Sequence, residues 1–316
     1  MSRRSRHFLL SLTPIQEKMY RICLILALVI AFPATDFAQR KRALMVGISS
    51  YRTNGYKVWN DIHGAEDVAL LTPELEEKGF EVEALTNEQA TYEGILHALE
   101  RFIADTQKGD IVCLHFSCHG QPVEDGMLGD EKDEADGWDE ALVPIDAGKQ
   151  YDVQGYKGEK HLTDDRLSRY LVRLRKKMGT TGTLYVVVDA CHAGNVERDD
   201  FQTSRGTNEG LTTNEQNKYN PPQQSKRKRI SSAPTWAPVL FVEACESYQR
   251  NQEITYQHHE YGALSFNLWQ ALKRRRTFPT DIHDLEERLR RNIQYNRDER
   301  NYLWPGTQDV VFSKSK

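Results

Sequence analysis

The chain has 316 residues, of which 39% are hydrophobic and 28% are charged. This length and composition predict a globular protein with one large α/β domain or two small ones. The formal net charge of −4 argues against nucleic-acid binding, which normally requires a surplus of basic residues.

The first 38 residues have the order of a secretory signal peptide. Basic residues come first, the apolar run ICLILALVIAF follows, and small residues lead up to Ala38. The apolar run is too short to span a bilayer comfortably. We therefore expect residues 1–38 to be cleaved and the protein to be periplasmic or secreted, without stable membrane insertion; an uncleaved anchor and a cytosolic tail are the alternatives.

Short apolar runs alternate with amphipathic segments from residue 42 onward. The runs have strand length, and the segments between them carry apolar residues at helical spacing; the predicted strands lie at 43–49, 81–87, 110–118, 183–191 and 238–245. This alternation predicts one α/β domain over 39–316, with a mostly parallel sheet covered on both faces. Reactive groups in such sheets collect at the carboxyl ends of the strands.

Two segments interrupt this alternation. Residues 121–161 read as an acidic loop that contains several glycines. Residues 197–236 are polar and lack apolar periodicity, so they cannot bury enough apolar surface to offset the entropy of ordering. We expect the second segment to be a flexible linker.

His119 and Cys191 each follow a strand-like apolar run, in the sequences VCLHFSCHGQ and LYVVVDACHAG. A thiol needs a nearby base to become a thiolate at neutral pH, and imidazole commonly serves as that base. Both side chains are expected at the same edge of the sheet. The pair therefore indicates nucleophilic catalysis by a cysteine.

The order of these motifs resembles the caspase-like cysteine peptidases of family C14, and within them the metacaspases and their bacterial relatives. The His strand, the DGWDEALVPID loop, the TDDRL helix start and the Cys strand follow one another over roughly 42–313. The resemblance implies a caspase-like α/β/α sandwich with about six strands and the activity of a cysteine endopeptidase. A degenerate domain that only binds partners, and a related peptidase that cuts after another residue such as Asn, are the alternatives.

The resemblance also assigns the catalytic groups. It implies that Cys191 is the nucleophile and that His119 is the general base and later the acid for the leaving amine. The backbone N–H groups of Gly120 and Cys191 would form the oxyanion hole. No cofactor is expected for this chemistry.

The same resemblance implies a substrate pocket built from Asp67, Ser117 and Asp189. A carboxylate-lined pocket selects a cationic side chain, so we expect polypeptide substrates that are cut after Arg or Lys and not after Asp. Two alternatives stay open: Glu66 could take the place of Asp67, and Asp189 could simply cap the turn after its strand. The sequence leaves the oligomeric state open.

The predicted linker carries four consecutive basic residues, Lys226, Arg227, Lys228 and Arg229. An exposed basic segment is a site that a peptidase with an acidic pocket could cut in itself. A solvated charge run without function is the alternative.

Calcium is a further expectation that comes from the resemblance. Metacaspase-type proteins often bind Ca²⁺ through aspartates at the start of a helix, which correspond here to Asp164 and Asp165, and oxygen ligands suit this ion. Ca²⁺ would act as an activator. Alternatively, Asp164 is the N-cap of its helix.

Cys118 departs from the family pattern, which usually has Gly before the catalytic His. The thiol is expected to be an inert packed group. The alternative is a reversible disulfide with Cys191 that would switch the enzyme off.

Overall fold

The computed structural model describes residues 39–51, 59–129, 132, 134–191, 204–214, 216–221, 230–273, 275–298, 303–305 and 308–315. The predicted signal peptide (1–38) and the basic residues Lys226, Arg227, Lys228 and Arg229 lie outside the described residues. In chain order the elements are β1 (Lys41–Gly47), α1 (Gly64–Glu77), β2 (Phe80–Thr86), α2 (Tyr92–Asp105), β3 (Ile111–Ser117), β4 (His119–Glu124), β5 (Trp138–Val143), β6 (Leu162–Thr163), α3 (Asp164–Met178), β7 (Thr183–Asp189), β8 (Val239–Glu243), β9 (Glu253–Tyr256), β10 (His259–Gly262), α4 (Ala263–Lys273), α5 (Ile282–Asp298) and β11 (Val311–Lys314).

Six strands form the central sheet, in the order β2-β1-β3-β7-β8-β11. The first five run parallel, and β11 pairs antiparallel with β8. The inner strands are mostly apolar and almost completely buried because both faces are covered: Ala43 and Met45 belong to one core cluster, whereas Leu44 and Val46 belong to the other. The predicted mostly parallel sheet of about six strands is confirmed.

Helices cover both faces of the sheet. Leu71 of α1, Leu268 of α4 and Leu289 of α5 join the core on one face, and Leu99 of α2 and Leu174 of α3 join the core on the other. The predicted α/β/α sandwich is therefore confirmed. In the described part of the chain, none of the helices combines the length and the apolar composition that crossing a bilayer requires.

The segment 121–161, which the sequence predicts to be a loop, contains regular structure. Strands β4, β5 and β6 form a separate three-stranded antiparallel sheet. Its strands are short and partly polar, so their apolar residues, such as Val123 and Val143, do not produce a clear period in the sequence. They nevertheless pack into the main core, which supplies the stability that the local pattern lacks.

Part of the predicted linker is also ordered. Residues 204–214 belong to the described structure, and Gly206 and Leu211 form parallel bridges with Gly120 and Val123 of β4. The Leu211 N–H donates to the Pro122 carbonyl at 2.8 Å, and the Glu124 N–H donates to the Leu211 carbonyl at 2.9 Å. Backbone pairing with β4 thus compensates for the lack of apolar residues in 204–214.

Candidate active site

The predicted catalytic residues lie beyond the carboxyl ends of two neighbouring strands. Strands β3 and β7 pair in parallel so that Ser117 and Asp189, their last residues, are in register. His119 begins β4 two residues after Ser117, and Cys191 follows Asp189 by the same interval. The topology thus brings all four residues to one edge of the sheet, as expected for a parallel α/β protein.

His119 is buried and held by three neighbours. Its backbone N–H donates to the Tyr51 hydroxyl at 2.9 Å, and its ring stacks on Trp59 with ring centroids 5.0 Å apart. Its Nε2 lies 2.7 Å from the carbonyl oxygen of Asn60. Because a carbonyl only accepts hydrogen bonds, Nε2 carries the proton and Nδ1 carries the lone pair.

The Nδ1 atom of His119 is the group available for proton transfer. It is buried and has no hydrogen-bond partner among the described residues. Burial lowers the pKa of His119 to about 4, against the opposing effect of its hydrogen bond to the Asn60 carbonyl. The ring is therefore neutral at ordinary pH, with an unoccupied basic nitrogen.

The Cys191 side chain is buried. The Sγ–H donates to the Gln249 carbonyl, with 2.8 Å between sulfur and oxygen. Cys245 packs beside it, and its sulfur lies 3.7 Å from the same carbonyl. A hydrogen bond with Cys191, together with burial, raises the pKa of Cys245 well above its ordinary value.

Cys118 lies in a different environment from these two cysteines. It packs in the core cluster that includes Leu99 of α2, and burial raises the pKa of its thiol to about 12. All four described cysteines are free thiols. This environment agrees with an inert packed thiol, and it associates Cys191 with Cys245 and not with Cys118.

A residue of the linker, Arg205, occupies the predicted oxyanion hole. The backbone N–H groups of Gly120 and Cys191 both donate to its carbonyl oxygen, at 3.2 and 3.1 Å. Its own N–H donates to the Asn251 carbonyl at 3.0 Å. The next residue, Gly206, lies so close to Cys191 that an added Cβ would be 3.1 Å from the Cys191 Cβ and would overlap its carbonyl oxygen.

The side chain of Arg205 enters the predicted acidic pocket. Its Nη1 donates to Asp67 Oδ2 at 2.7 Å and to the Ser117 hydroxyl, and it lies 3.7 Å from Asp189 Oδ1. The Arg205, Asp67 and Asp189 side chains are fully buried. The structure therefore brings together the three residues that the sequence predicted for the substrate pocket.

Backbone and side-chain donors hold the two aspartates in place. Asp67 Oδ1 accepts from the Gly262 N–H at 2.9 Å. Asp189 accepts from Asn251 Nδ2, and from both the N–H and the hydroxyl of Ser265, each at 2.7 Å. Asp189 thus bonds the first turn of α4.

Glu66, the alternative to Asp67, points to a different partner. It accepts a hydrogen bond from the Ser49 hydroxyl.

Burial raises the pKa of Asp67 to about 7, whereas the charge of Arg205 acts in the opposite direction. Burial opposes the charge on Arg205 as well, but the carboxylates of Asp67, Asp189 and Glu253 raise its pKa above the ordinary value.

Glu253 is a pocket residue that the sequence analysis missed. Its Oε1 accepts from Arg205 Nε at 3.0 Å and from Nη2 at 2.8 Å. Burial favours a higher pKa for Glu253, but Arg205 and His63 outweigh it and lower the pKa. The residue lies in a polar stretch with no local pattern, so only the tertiary structure identifies it.

One group of described side chains has the spacing of a metal site. The ligand atoms of His63, Glu253 and Glu260 lie within 4.8 Å of one another. His63 Nδ1 is 2.7 Å from Glu253 and 3.2 Å from Glu260, so these groups already pair with each other. The hydrogen bond with Glu253 raises the pKa of His63.

The predicted calcium ligands lie at the start of α3. Asp164 and Asp165 line a cavity of about 320 Å³ together with Glu134. Thr163 is the N-cap, because its hydroxyl accepts from the Arg166 N–H at 3.3 Å, so the alternative assignment of Asp164 as the N-cap is wrong. The three carboxylates offer the hard oxygen atoms that Ca²⁺ prefers.

The sequence profile of the caspase domain matches residues 40–310. The chain belongs to the caspase-domain family. It is 28% identical over 172 residues to metacaspase-1A of Neurospora crassa, and 34% identical over 167 residues to metacaspase-1B of Aspergillus fumigatus. These matches cover 52% and 49% of this chain, and the chain spans about a third of the relatives' length, 34% and 36%.

A solved structure shares the fold of this chain. Protein GSU0716 from Geobacter sulfurreducens superposes with a TM-score of 0.57 at 20% sequence identity. The superposition covers 87% of this chain and 93% of that one. At this identity the likeness concerns the fold alone.

Proposed function

We propose that this caspase-domain protein is a cysteine endopeptidase that cuts polypeptides after arginine or lysine, and that it processes its own linker at the Arg205–Gly206 bond. The observation that carries the proposal is the placement of Arg205. Its carbonyl oxygen accepts from the backbone N–H groups of Gly120 and Cys191, and its guanidinium lies among three buried carboxylates. A residue whose following peptide bond is to be cut must meet both conditions at once.

The proposed reaction uses four groups of this site. His119 Nδ1 takes the proton of the Cys191 thiol once it leaves the Gln249 carbonyl. The thiolate then attacks the Arg205 carbonyl carbon, and the N–H groups of Gly120 and Cys191 stabilise the oxyanion. The C–N bond breaks as His119 gives its proton to the Gly206 nitrogen. Water then hydrolyses the thioester, which leaves an Arg205 carboxylate and a free thiol.

The proposal is tested with the full-length chain and two matched variants. Cys191→Ala removes the nucleophile, whereas Cys245→Ala removes the neighbouring thiol and serves as the control. Intact mass and N-terminal sequencing would follow self-cleavage, with a new N-terminus at Gly206 expected for the wild type and for Cys245→Ala. Fluorogenic peptides with Arg, Lys, Asp or Asn before the cleaved bond would measure turnover of other chains.

Each result separates the alternatives. Turnover of Arg and Lys peptides that requires Cys191 supports the proposal. Preference for Asp or Asn peptides would refute the assignment of the pocket, and the absence of any Cys191-dependent turnover would favour a binding domain. Cleavage within Lys226–Arg229 alone would keep the basic preference but refute the assignment of the Arg205–Gly206 bond.

We further propose that Ca²⁺ activates the enzyme through Asp164 and Asp165. Calcium titration after chelation should raise peptide turnover in the wild type and not in Asp165→Asn. A wild type with equal activity in chelator and in calcium would contradict this part of the proposal.

We also propose that the protein is exported and that residues 1–38 are removed. Mass spectrometry of the protein from its native host should find an N-terminus near residue 39. An intact N-terminal segment on the cell-associated protein would contradict export with cleavage.

A further inference from the structure

The guanidinium of Arg205 is divided between two walls of the pocket. Nη1 faces Asp67 and Ser117, whereas Nε and Nη2 both face a single oxygen of Glu253. The Glu253 contacts measure 3.0 and 2.8 Å, so the second has the length of a charge-assisted hydrogen bond and the first is slightly longer. Recognition of the arginine is therefore distributed over the whole planar group and does not depend on its net charge alone.

Glu253 is held rigidly in this position. It lies at the start of β9, and it is only 4% exposed. The backbone N–H of His63 donates to Oε1 and the ring Nδ1 of His63 contacts Oε2, each at 2.7 Å. Both oxygens are thus fixed from behind, and the side of Oε1 that faces the pocket is available to the substrate.

From this geometry, and on the basis of the proposed function, we propose that Glu253 makes the pocket select arginine over lysine. A lysine ammonium is a single atom at the end of a flexible chain, whereas the guanidinium is a rigid fork with five N–H donors. An ammonium that contacts Asp67 cannot also provide the two donors that face Glu253. Lysine would therefore leave a buried carboxylate less well compensated, which is unfavourable.

The test compares kcat/KM for matched Arg and Lys peptides on the full-length chain in the presence of calcium. Because each charge-assisted hydrogen bond contributes substantially, the wild type should prefer Arg by about tenfold or more. In Glu253→Gln the ratio should fall below about threefold, mainly through loss of turnover of the Arg peptide. Glu260→Gln is the matched control: it removes the other carboxylate that contacts His63, and the ratio should stay at the wild-type value.

Failure of this inference differs from failure of the proposed function. A wild type that cuts both peptides equally, or a Glu253→Gln variant that loses both activities in the same proportion, would overturn the role of Glu253 while cleavage after basic residues stands. A wild type that cuts neither peptide would overturn the proposed function itself.

A second measurement does not require any change to Glu253. Arg205→Lys in the otherwise wild-type chain should slow self-cleavage after residue 205 by about tenfold or more, since the same fork is lost. An unchanged rate would also overturn the inference.

Discussion

Removing the charge of Arg205 should destabilise the folded protein, because three buried carboxylates then lose their counter-ion. The change is Arg205→Ala, which removes the guanidinium and its stem from the pocket. It is made in a Cys191→Ala background so that cleavage cannot alter the chain during the measurement. The comparison is with Cys191→Ala alone.

The expected loss follows from the contacts of the guanidinium. It forms ion pairs with Asp67 at 2.7 Å and with Glu253 at 2.8 Å, and it lies 3.7 Å from Asp189. Removing one partner of a buried ion pair costs about 3–5 kcal/mol. Because water can enter the emptied pocket, we expect the lower end, about 3 kcal/mol, which for a domain of this size lowers Tm by about 6 °C.

Thermal unfolding followed by circular dichroism measures this loss, and a ligand tests its origin. N-Ethylguanidinium, which matches the outer part of the arginine side chain, should raise the Tm of the Arg205→Ala protein, since a ligand at 100 times its Kd stabilises by about 2.7 kcal/mol. It should leave the Cys191→Ala parent unchanged, because Arg205 already fills the pocket there. A Tm within about 2 °C of the parent, without a response to the ligand, would refute the reasoning.

Three further predictions concern the same site. Gly206→Ala should slow self-cleavage, because the added Cβ would overlap the Cys191 carbonyl oxygen. The expected decrease is about tenfold or more, which corresponds to a barrier increase of about 1.4 kcal/mol. Mass spectrometry measures the cleavage rate, and a wild-type rate would contradict the prediction. Gly262→Ala should abolish turnover of basic peptides while the circular dichroism spectrum stays unchanged. The added Cβ would overlap Asp189 Oδ2 and would lie 2.5 Å from the position of Arg205 Nη1. Retained turnover would show that the pocket lies elsewhere. The neutral form of His119 is the proposed base, and its pKa is about 4. The rate of self-cleavage should therefore rise as pH rises through about 4, and it should then stay level up to neutral pH. A midpoint near 6.5 would contradict the buried environment of the ring.

The sequence predicts that the proposed catalytic residues lie together, because they follow the strands that carry the strongest pattern. His119 and Cys191 each come two residues after the last residue of a buried parallel strand, and Ser117 and Asp189 are those last residues. Asp67 lies in the first turn of α1 and is fully buried, whereas the sequence alone leaves Glu66 open as an alternative.

Other parts of the site depend on contacts between distant segments. Arg205 is one of many charged residues in a polar stretch, and only its pairing with β4 and the acidic pocket distinguishes it from the basic run at 226–229. Glu253 acquires its role because a hairpin brings it to His63, which is 190 residues away in the chain. Trp59 and Tyr51 position His119 from a segment with no regular period. Sequence patterns report burial along an element, and these residues are defined by contacts between elements.

The pairing of the linker with β4 has a kinetic consequence for the proposed self-cleavage. A cut after Arg205 leaves residues 206–211 still bonded to β4 through both the N–H and the carbonyl of Leu211, and Gln121 Nε2 still donates to the Glu209 carbonyl at 2.8 Å. The new amino end therefore stays beside Cys191 as a tethered product. Dissociation of residues 206–211 from β4, and not the bond cleavage, would then limit how fast the active site becomes accessible to other chains. Activation would proceed with a lag after processing is complete.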